Sequence, residues 1–188
     1  AFDPSKAKLT FICSPSNPLG HKFSKESIYR VCEYFSDSGL VVLDGAYVEF
    51  DSDEVYKEIL SKFDNVIILR TLSKAFGLAG VRCGVLISSD EICQYIERVI
   101  PPYSFSTPAV NAVIESLSDE GIKESKRNIE IIIEDRKWLE TELESLDEVI
   151  DVFPSYTNFI LVKVNDANAF CKKSQDIGFL LRDVSYQP

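Results

Sequence analysis

Short runs of apolar residues alternate with amphipathic stretches along the first half of the chain. The runs are five or six residues long and rich in β-branched side chains, which is typical of strands buried on both faces of a sheet. They predict strands at Lys8–Cys13, Leu40–Asp44, Val66–Arg70 and Cys83–Ser88. The connection before the fourth strand is too short for a parallel crossover, which needs about a dozen residues, so this strand is predicted to be antiparallel to its neighbour.

Stretches with apolar residues three and four positions apart lie between and after these strands, and this spacing predicts helices. The predicted helices are Lys25–Ser36 with Ser24 as N-cap, Val55–Phe63, Glu91–Ile100, a helix with Thr107 as N-cap and Pro108 at its first position, and Lys123–Leu146. The order strand, helix, strand, helix, strand, strand indicates an α/β fold with a mostly parallel sheet and helices.

The pattern changes at Val149 to that of a small α+β unit. Its predicted elements are strands at Val149–Phe153 and Asn158–Val164, a helix at Asp166–Ile177 and a strand at Phe179–Arg182. We therefore expect three parts, namely part of a larger domain at 1–120, a long connecting helix at 121–147 and the start of a small domain at 148–188.

Three polar residues follow three different predicted strands by no more than four residues. They are Asn17, Asp44 and Lys74. The carboxyl ends of parallel strands share one edge of a sheet, where open α/β folds bind their ligands, so we expect these side chains to meet in one crevice. Each also has a plainer interpretation: Asn17 as part of a rigid turn, Asp44 as the cap of a turn, and Lys74 as a solvated lysine.

The loop around Lys74 contains further groups that suit an anion. Thr71 and Ser73 supply hydroxyls just before the lysine, and Arg82 follows eight residues after it. Hydroxyls and an arginine clustered around a lysine suit a bound phosphate beside a reactive amine.

The composition narrows the choice of partners. The formal net charge is −10, so nucleic acid and anionic membrane surfaces are poor partners, and an anionic cofactor would need local cations. The five cysteines show no CxxC or regular spacing, so free thiols in a reducing compartment are expected rather than disulfide bridges or a metal site. No apolar run approaches the roughly 18 residues of a membrane span, and no secretory signal is expected.

The segment RTLSKAFGLAGVRCG at 70–84 resembles the lysine segment of the fold-type I pyridoxal-phosphate-dependent aminotransferases, and most closely that of the histidinol-phosphate aminotransferases. The resemblance continues, in the family's order, along most of the chain. It includes NPLG at 17–20, DGAY at 44–47, PPYSFSTPAVNAV at 101–113, SYTNFILVKV at 155–164 and GFLLRDVSYQP at 178–188. Four positions depart from the family, since Leu19 replaces a threonine, Gly45 replaces a glutamate, and Ser14 and Ser16 also differ from its motif.

The resemblance implies a role for each candidate residue. Lys74 would bind the cofactor, pyridoxal 5′-phosphate, covalently and then act as a general base. Asp44 would keep the pyridine nitrogen of the cofactor protonated, while Tyr47 and Asn17 would hydrogen-bond its phenolic oxygen. Thr71, Ser73 and Arg82 would bind the phosphate of the cofactor. Arg182 would bind the phosphate of the substrate.

The implied activity is transfer of an amino group between an amino acid or amine-phosphate and a 2-oxo acid, as in histidinol-phosphate aminotransferases. The alternatives are a threonine-phosphate decarboxylase, an aromatic aminotransferase, or a catalytically silent aminotransferase-like module that only binds. The presence of Asp44, Tyr47, Lys74 and Arg82 together argues against a silent module.

Members of this family are much longer than the present chain, which resembles the second half of their large domain and the start of their C-terminal small domain. The chain also contains no methionine, so we expect it to be a piece of a longer protein. The resemblance further implies a cytoplasmic homodimer. We expect these 188 residues alone not to transaminate.

Overall fold

The computed structural model describes residues 6–51 and 54–185, so the last three residues of the segment 178–188 lie outside the described part. Within it, the first half of the chain forms one four-stranded sheet in the order β1-β2-β3-β4. The strands are β1 (Leu9–Cys13), β2 (Leu40–Asp44), β3 (Val66–Thr71) and β4 (Gly84–Ile87). The first three are parallel and β4 is antiparallel to β3, which confirms the predicted α/β fold and the direction of the fourth strand.

The parallel strands end nearly level with one another. Cys13 pairs with Asp44, and Asp44 pairs on its other side with Leu69. The backbone N–H of Gly45 donates to the Leu69 carbonyl at 2.9 Å, which fixes the start of the loop after β2. The loops after β1, β2 and β3 therefore leave the sheet along one edge.

Six α-helices occur in the described part of the chain. They are α1 (Lys25–Tyr34), α2 (Glu54–Glu58), α3 (Asp90–Glu97), α4 (Thr107–Ser116), α5 (Asp119–Glu144) and α6 (Ala167–Asp176). Short 3₁₀ turns at Val48–Phe50, Ile59–Ser61 and Ala79–Val81 complete the connections. The helix predicted at Val55–Phe63 is thus a short α-helix that continues into a 3₁₀ turn.

The starts of α4 and α5 differ from the prediction. Ser106, not Thr107, is the N-cap of α4, because the backbone of Ser106 is extended and Thr107 is already helical. Pro108 is still tolerated there, since backbone N–H groups in the first turn have no intrahelical partner. Helix α5 begins at Asp119, four residues before the predicted Lys123, because Ser118 caps it and accepts a hydrogen bond from the Gly121 N–H.

Helices α1 and α2 cover one face of the sheet. Apolar residues of α1 recur at helical spacing and pack on alternate residues of β2 and β3, which forms the main core. This core contains Ile28, Cys32, Phe35, Val41, Leu43, Val48, Tyr56, Ile59, Val66 and Ile68. Full burial of one such aliphatic side chain stabilises the fold by about 1.5–3 kcal/mol.

A second, smaller core lies where the loops after β2 and β3 meet the rest of the chain. Tyr47, Phe50 and Ala75 are buried in it. Ile129 and Ile132 of α5 and Phe159 pack against them. The long helix and the C-terminal unit therefore contact the loops at the carboxyl edge of the sheet.

The C-terminal unit contains β5 (Val149–Phe153) and β6 (Leu161–Val164), which are antiparallel, followed by α6. The prediction of a strand at Phe179–Arg182 is wrong, because this segment has no regular secondary structure and pairs with no strand in the described part of the chain. Phe179 and Leu180 are 66% and 84% exposed. An apolar run with β propensity forms a strand only where a neighbouring edge takes up its backbone hydrogen bonds.

Two further expectations can be compared with the structure. All five cysteines are free thiols, as the sequence predicts. Among the described residues, no helix has both the length and the apolar character needed to cross a membrane.

We predict that Ser118→Ala lowers the free energy of unfolding by about 1 kcal/mol, because it removes the hydroxyl that caps α5. Ser106→Ala is the matched control, since Ser106 is also an N-cap but its side chain makes no capping hydrogen bond. Thermal or urea denaturation of both variants measures the difference. Equal losses of stability in the two variants would contradict the assigned cap.

Candidate active site

Asn17 lies in the turn that follows β1. The turn is closed by a backbone hydrogen bond of 2.8 Å from the Gly20 N–H to the Ser16 carbonyl. From this position the side-chain amide of Asn17 donates to the hydroxyl of Tyr47 at 3.0 Å. The contact joins the loop after β1 to the loop after β2.

Asp44 ends β2 and directs the loop that carries Tyr47. One carboxylate oxygen of Asp44 accepts a 3.0 Å hydrogen bond from the Ala46 N–H, so the aspartate caps the following turn. Its other oxygen makes no hydrogen bond to the described residues. The plainer interpretation of Asp44 is thus correct for one oxygen, and the second oxygen is left for another partner.

Lys74 follows β3 and completes the group. Its ammonium nitrogen lies 5.2 Å from the centroid of the Tyr47 ring, within the range of a cation–π contact. The lysine is exposed and forms no ion pair with a described residue. The structure therefore brings together Asn17, Tyr47 and Lys74 at the edge of the sheet where β2 ends with Asp44.

The predicted phosphate ligands, Thr71, Ser73 and Arg82, make few contacts with one another. The Thr71 hydroxyl donates to the Cys83 carbonyl at 3.3 Å and accepts from the Ser73 N–H at 3.1 Å. Arg82 has a left-handed backbone, and its guanidinium donates to the Ala79 carbonyl at 3.1 Å. No described contact joins Arg82 to Thr71 or Ser73, so their shared role on a phosphate stays a prediction.

Arg182 is exposed and lies in the segment without regular secondary structure after α6. It makes no hydrogen bond or ion pair with the described residues. The structure therefore does not join Arg182 to the group around Lys74, and its role toward a substrate stays a prediction.

The sequence interpretation missed the aromatic residue that supports Tyr47. The Phe159 ring meets the Tyr47 ring edge to face, with centroids 5.3 Å apart. Such a pair stabilises by about 0.5–1.5 kcal/mol beyond the apolar area that it buries. Phe159 belongs to the segment SYTNF, which the sequence marked as similar to the family but without a role for any residue.

The same segment is fastened to the turn that carries Asn17. The Tyr156 N–H donates to the Gly20 carbonyl at 2.8 Å. A Cβ at Gly20 would lie 2.9 Å from the Ser155 hydroxyl, and Gly20 has a φ of +76°, so two independent constraints favour glycine here. The C-terminal unit therefore holds both Tyr47 and the neighbouring turn.

A second missed feature is the ion pair between Glu49 and Arg70. Their charged atoms are 2.9 Å apart, and the side chains are 10% and 25% exposed. Arg70 precedes Thr71, and Glu49 follows Tyr47 by two residues, so the pair ties the loop after β2 to the end of β3. The sequence signal that could have identified this ion pair is the presence of opposite charges, Glu49 after β2 and Arg70 near the end of β3, beside two apolar strands.

The pair also lines a cleft of about 320 Å³ between these loops and α5, with Lys126 and Ile129 on the helix side. One oxygen of Glu49 and the Nε of Arg70 are buried without a hydrogen-bond partner in the described part of the chain. The residues that line this cleft include none of those predicted to bind a cofactor.

Cys13 lies next to Asp44 on the neighbouring strand. Burial raises the pKa of its thiol, a backbone hydrogen bond from Asn17 lowers it, and the charge of Asp44 raises it again. The net shift is upward, so the thiol is neutral at pH 7 and adds no charge near Asp44.

Comparison with known proteins places this geometry in a class. Residues 2–186 match the family described as aminotransferase class I and II, and the chain belongs to this family. It is 39% identical over 181 residues to the histidinol-phosphate aminotransferase of Pectobacterium carotovorum subsp. carotovorum strain PC1, a match that covers 96% of this chain and 51% of that protein.

Solved structures give the same result. The chain superposes on histidinol-phosphate aminotransferase from Sinorhizobium meliloti in complex with pyridoxal-5′-phosphate with a TM-score of 0.80 and 27% identity, covering 94% of this chain and 49% of that one. For L-threonine-O-3-phosphate decarboxylase from Porphyromonas gingivalis the TM-score is 0.83 at 26% identity, covering 98% and 57%. The chain thus spans about half the length of the curated relatives it matches.

We predict that Glu49→Gln lowers the free energy of unfolding by about 2 kcal/mol, because it leaves the charge of Arg70 mostly buried and unpaired. The control is Glu148→Gln, which breaks an equally short but exposed pair with Lys173 and should cause no measurable change. Urea denaturation at neutral pH measures both. If the two variants lose the same stability, the Glu49–Arg70 pair does not hold the loops together.

Proposed function

We propose that this chain supplies the lysine-bearing part of a pyridoxal-phosphate-dependent aminotransferase that acts on histidinol phosphate or a similar amine-phosphate. The observation that carries the proposal is the meeting of Asn17, Tyr47 and Lys74 beside Asp44 at one edge of the sheet. Membership of the aminotransferase class I and II family supports it.

The side chains at this edge suit the cofactor. Lys74 offers an exposed amine without an ion-pair partner among the described residues, and Asp44 offers a carboxylate oxygen that no described residue occupies. When bound, pyridoxal phosphate supplies a conjugated ring that accepts electrons from the substrate Cα.

Each residue of the group would have a defined role in this reaction. Lys74 would hold the cofactor covalently and would also move a proton at the substrate Cα. Asp44 holds a proton on the pyridine nitrogen, because a carboxylate favours the charged form of a neighbouring base. Asn17 and Tyr47 orient the phenolic oxygen, while Thr71, Ser73 and Arg82 hold the phosphate.

A second candidate is decarboxylation of an amino-acid phosphate. The similarity to the Porphyromonas gingivalis L-threonine-O-3-phosphate decarboxylase favours it. Both candidates use an amine substrate with a phosphate, and both therefore suit Arg182 as a phosphate ligand. Turnover that depends on a 2-oxo acid acceptor identifies the aminotransferase, whereas release of carbon dioxide without an acceptor identifies the decarboxylase.

The complete enzyme is proposed to be a cytoplasmic homodimer, as the family resemblance implies, with an amino donor and a 2-oxo acid as its substrates. The free thiols of the described part fit a reducing compartment. These 188 residues alone are proposed not to transaminate, because the matched relatives are about twice as long and groups that act as a unit lose activity together.

We predict that Lys74→Ala, in a protein of the relatives' length that contains this chain, abolishes covalent attachment of pyridoxal phosphate. Arg82→Ala should only weaken cofactor affinity, about tenfold or more, because other groups share the phosphate. Absorption spectra, and borohydride reduction followed by peptide mapping, measure both effects. Lys172→Ala, a substitution at an exposed position of α6, is the control. A reduced cofactor adduct on any lysine other than Lys74 would contradict the assignment of Lys74.

We predict that Arg182→Ala in the same protein raises KM for histidinol phosphate roughly 30-fold, with little effect on unphosphorylated amino acids. Loss of one charge-assisted pair costs on the order of 2 kcal/mol. Lys172→Ala serves again as a control for a general change in the electrostatic field. Equal effects on both kinds of substrate would make Arg182 a structural residue.

A further inference from the structure

Ser14 fixes the start of the turn that carries Asn17. It follows β1 directly and is only 3% exposed. Its N–H donates to the Asp44 carbonyl at 3.1 Å, and its hydroxyl accepts from the Phe23 N–H at 3.1 Å. Its carbonyl accepts a hydrogen bond from the hydroxyl of Tyr56. Three hydrogen bonds to three different elements therefore hold this residue.

Tyr56 reaches Ser14 from α2, which follows β2 in the chain. Its side chain belongs to the main core, and the residue is 8% exposed. Burial raises the pKa of its phenol, and the negative charge of Asp44 adds to the effect, so the hydroxyl stays protonated and remains a donor. The contact thus crosses 42 residues of sequence with a buried donor.

Gly45 provides the space for this ring. A Cβ at position 45 would lie 2.9 Å from Cε1 of Tyr56 and 3.2 Å from its Cζ. It would also lie 3.3 Å from Cδ of Arg70, a flexible atom that can move by a small amount. Because the Tyr56 ring is enclosed by the core, it has no such freedom.

Gly45 is also one of the positions where the sequence departs from the family it resembles. The departure therefore has a structural consequence. Because glycine has no side chain, the ring of Tyr56 can pack against residue 45, and its hydroxyl can donate to the carbonyl of Ser14.

We propose that Tyr56 is a positioning residue for Asn17 and that Gly45 is required for this role. Asn17 stands three residues after Ser14 and reaches the hydroxyl of Tyr47 from there. Tyr56 belongs to the buried core and acts only through its hydrogen bond to the turn. The inference that this turn serves a cofactor rests on the proposed function, whereas the support of the turn by Tyr56 does not.

Hydrogen exchange of the 188-residue chain tests the support directly. Tyr56→Phe should speed exchange of the Ser16 and Gly20 amides roughly tenfold, as expected for the loss of one buried hydrogen bond, and leave the Ile28 amide of α1 unchanged. Tyr29→Phe is the matched control, because the Tyr29 hydroxyl makes only a long, exposed contact with Glu58 at 3.5 Å. Equal exchange in the two variants overturns the proposal.

The role of Gly45 is tested by a double-mutant cycle. Gly45→Ala should lower Tm and speed exchange of the Ser16 and Gly20 amides when Tyr56 is present. In the Tyr56→Leu variant, which lacks the ring next to residue 45, Gly45→Ala should cause little further change in Tm or in amide exchange. Additive effects overturn the requirement for Gly45, and they do so even if Tyr56→Leu itself is strongly destabilised.

The link to Asn17 is tested in a protein of the relatives' length with pyridoxal phosphate as the probe. Tyr56→Phe and Asn17→Ala should each raise the dissociation constant of the cofactor several-fold, and the double variant should equal Asn17→Ala alone. Additive losses indicate a merely structural tyrosine. If the unmodified protein binds no pyridoxal phosphate, the proposed function fails. The hydrogen-exchange experiment then decides by itself whether Tyr56 holds the turn.

Discussion

The level register of the three parallel strands is the constraint on which the rest of the structure depends. Cys13, Asp44 and Leu69 lie side by side, so β1 and β2 enter their loops together and β3 enters its loop two residues later, at the same edge. A slip of one residue would reverse the faces of a strand and move every apolar side chain of the core to the wrong side. The packing of α1 and α2 therefore secures the positions of Asn17, Asp44 and Lys74, although neither helix contributes a residue to that group.

Short-range contacts, not the overall charge, hold these loops in place. The chain has a net charge of −10, so its long-range field repels an anion. Arg70 is paired with Glu49 and adds little net charge, whereas the exposed Lys74 and Arg82 supply local positive charge. The cation that ties the loops is thus partly buried and paired, and the cations available to a ligand face solvent.

Local patterns in the sequence predicted the strands, most of the helices and the edge at which the polar residues meet. These features depend on periodicity and on the short connection before β4, both of which can be read from consecutive residues. The absent strand at Phe179–Arg182 and the contact of Tyr56 with Ser14 depend on which distant segment lies alongside, and no local pattern contains that information. Phe159 was missed for the same reason, because its partner Tyr47 is far away in sequence.

The segment from Ser155 to Phe159 makes the C-terminal unit part of this arrangement. Thr157 is fully buried, and its hydroxyl bonds with the hydroxyl of Ser155 and with the Phe159 carbonyl. Because these buried polar groups keep hydrogen-bond partners, their burial costs little free energy. One end of the segment bonds to Gly20 and the other packs on Tyr47. Asn17 stands in the turn that ends at Gly20 and donates to the hydroxyl of Tyr47, so the C-terminal unit contacts both loops that Asn17 joins. Residues distant in sequence therefore support the predicted cofactor face, which is why no single local motif describes it.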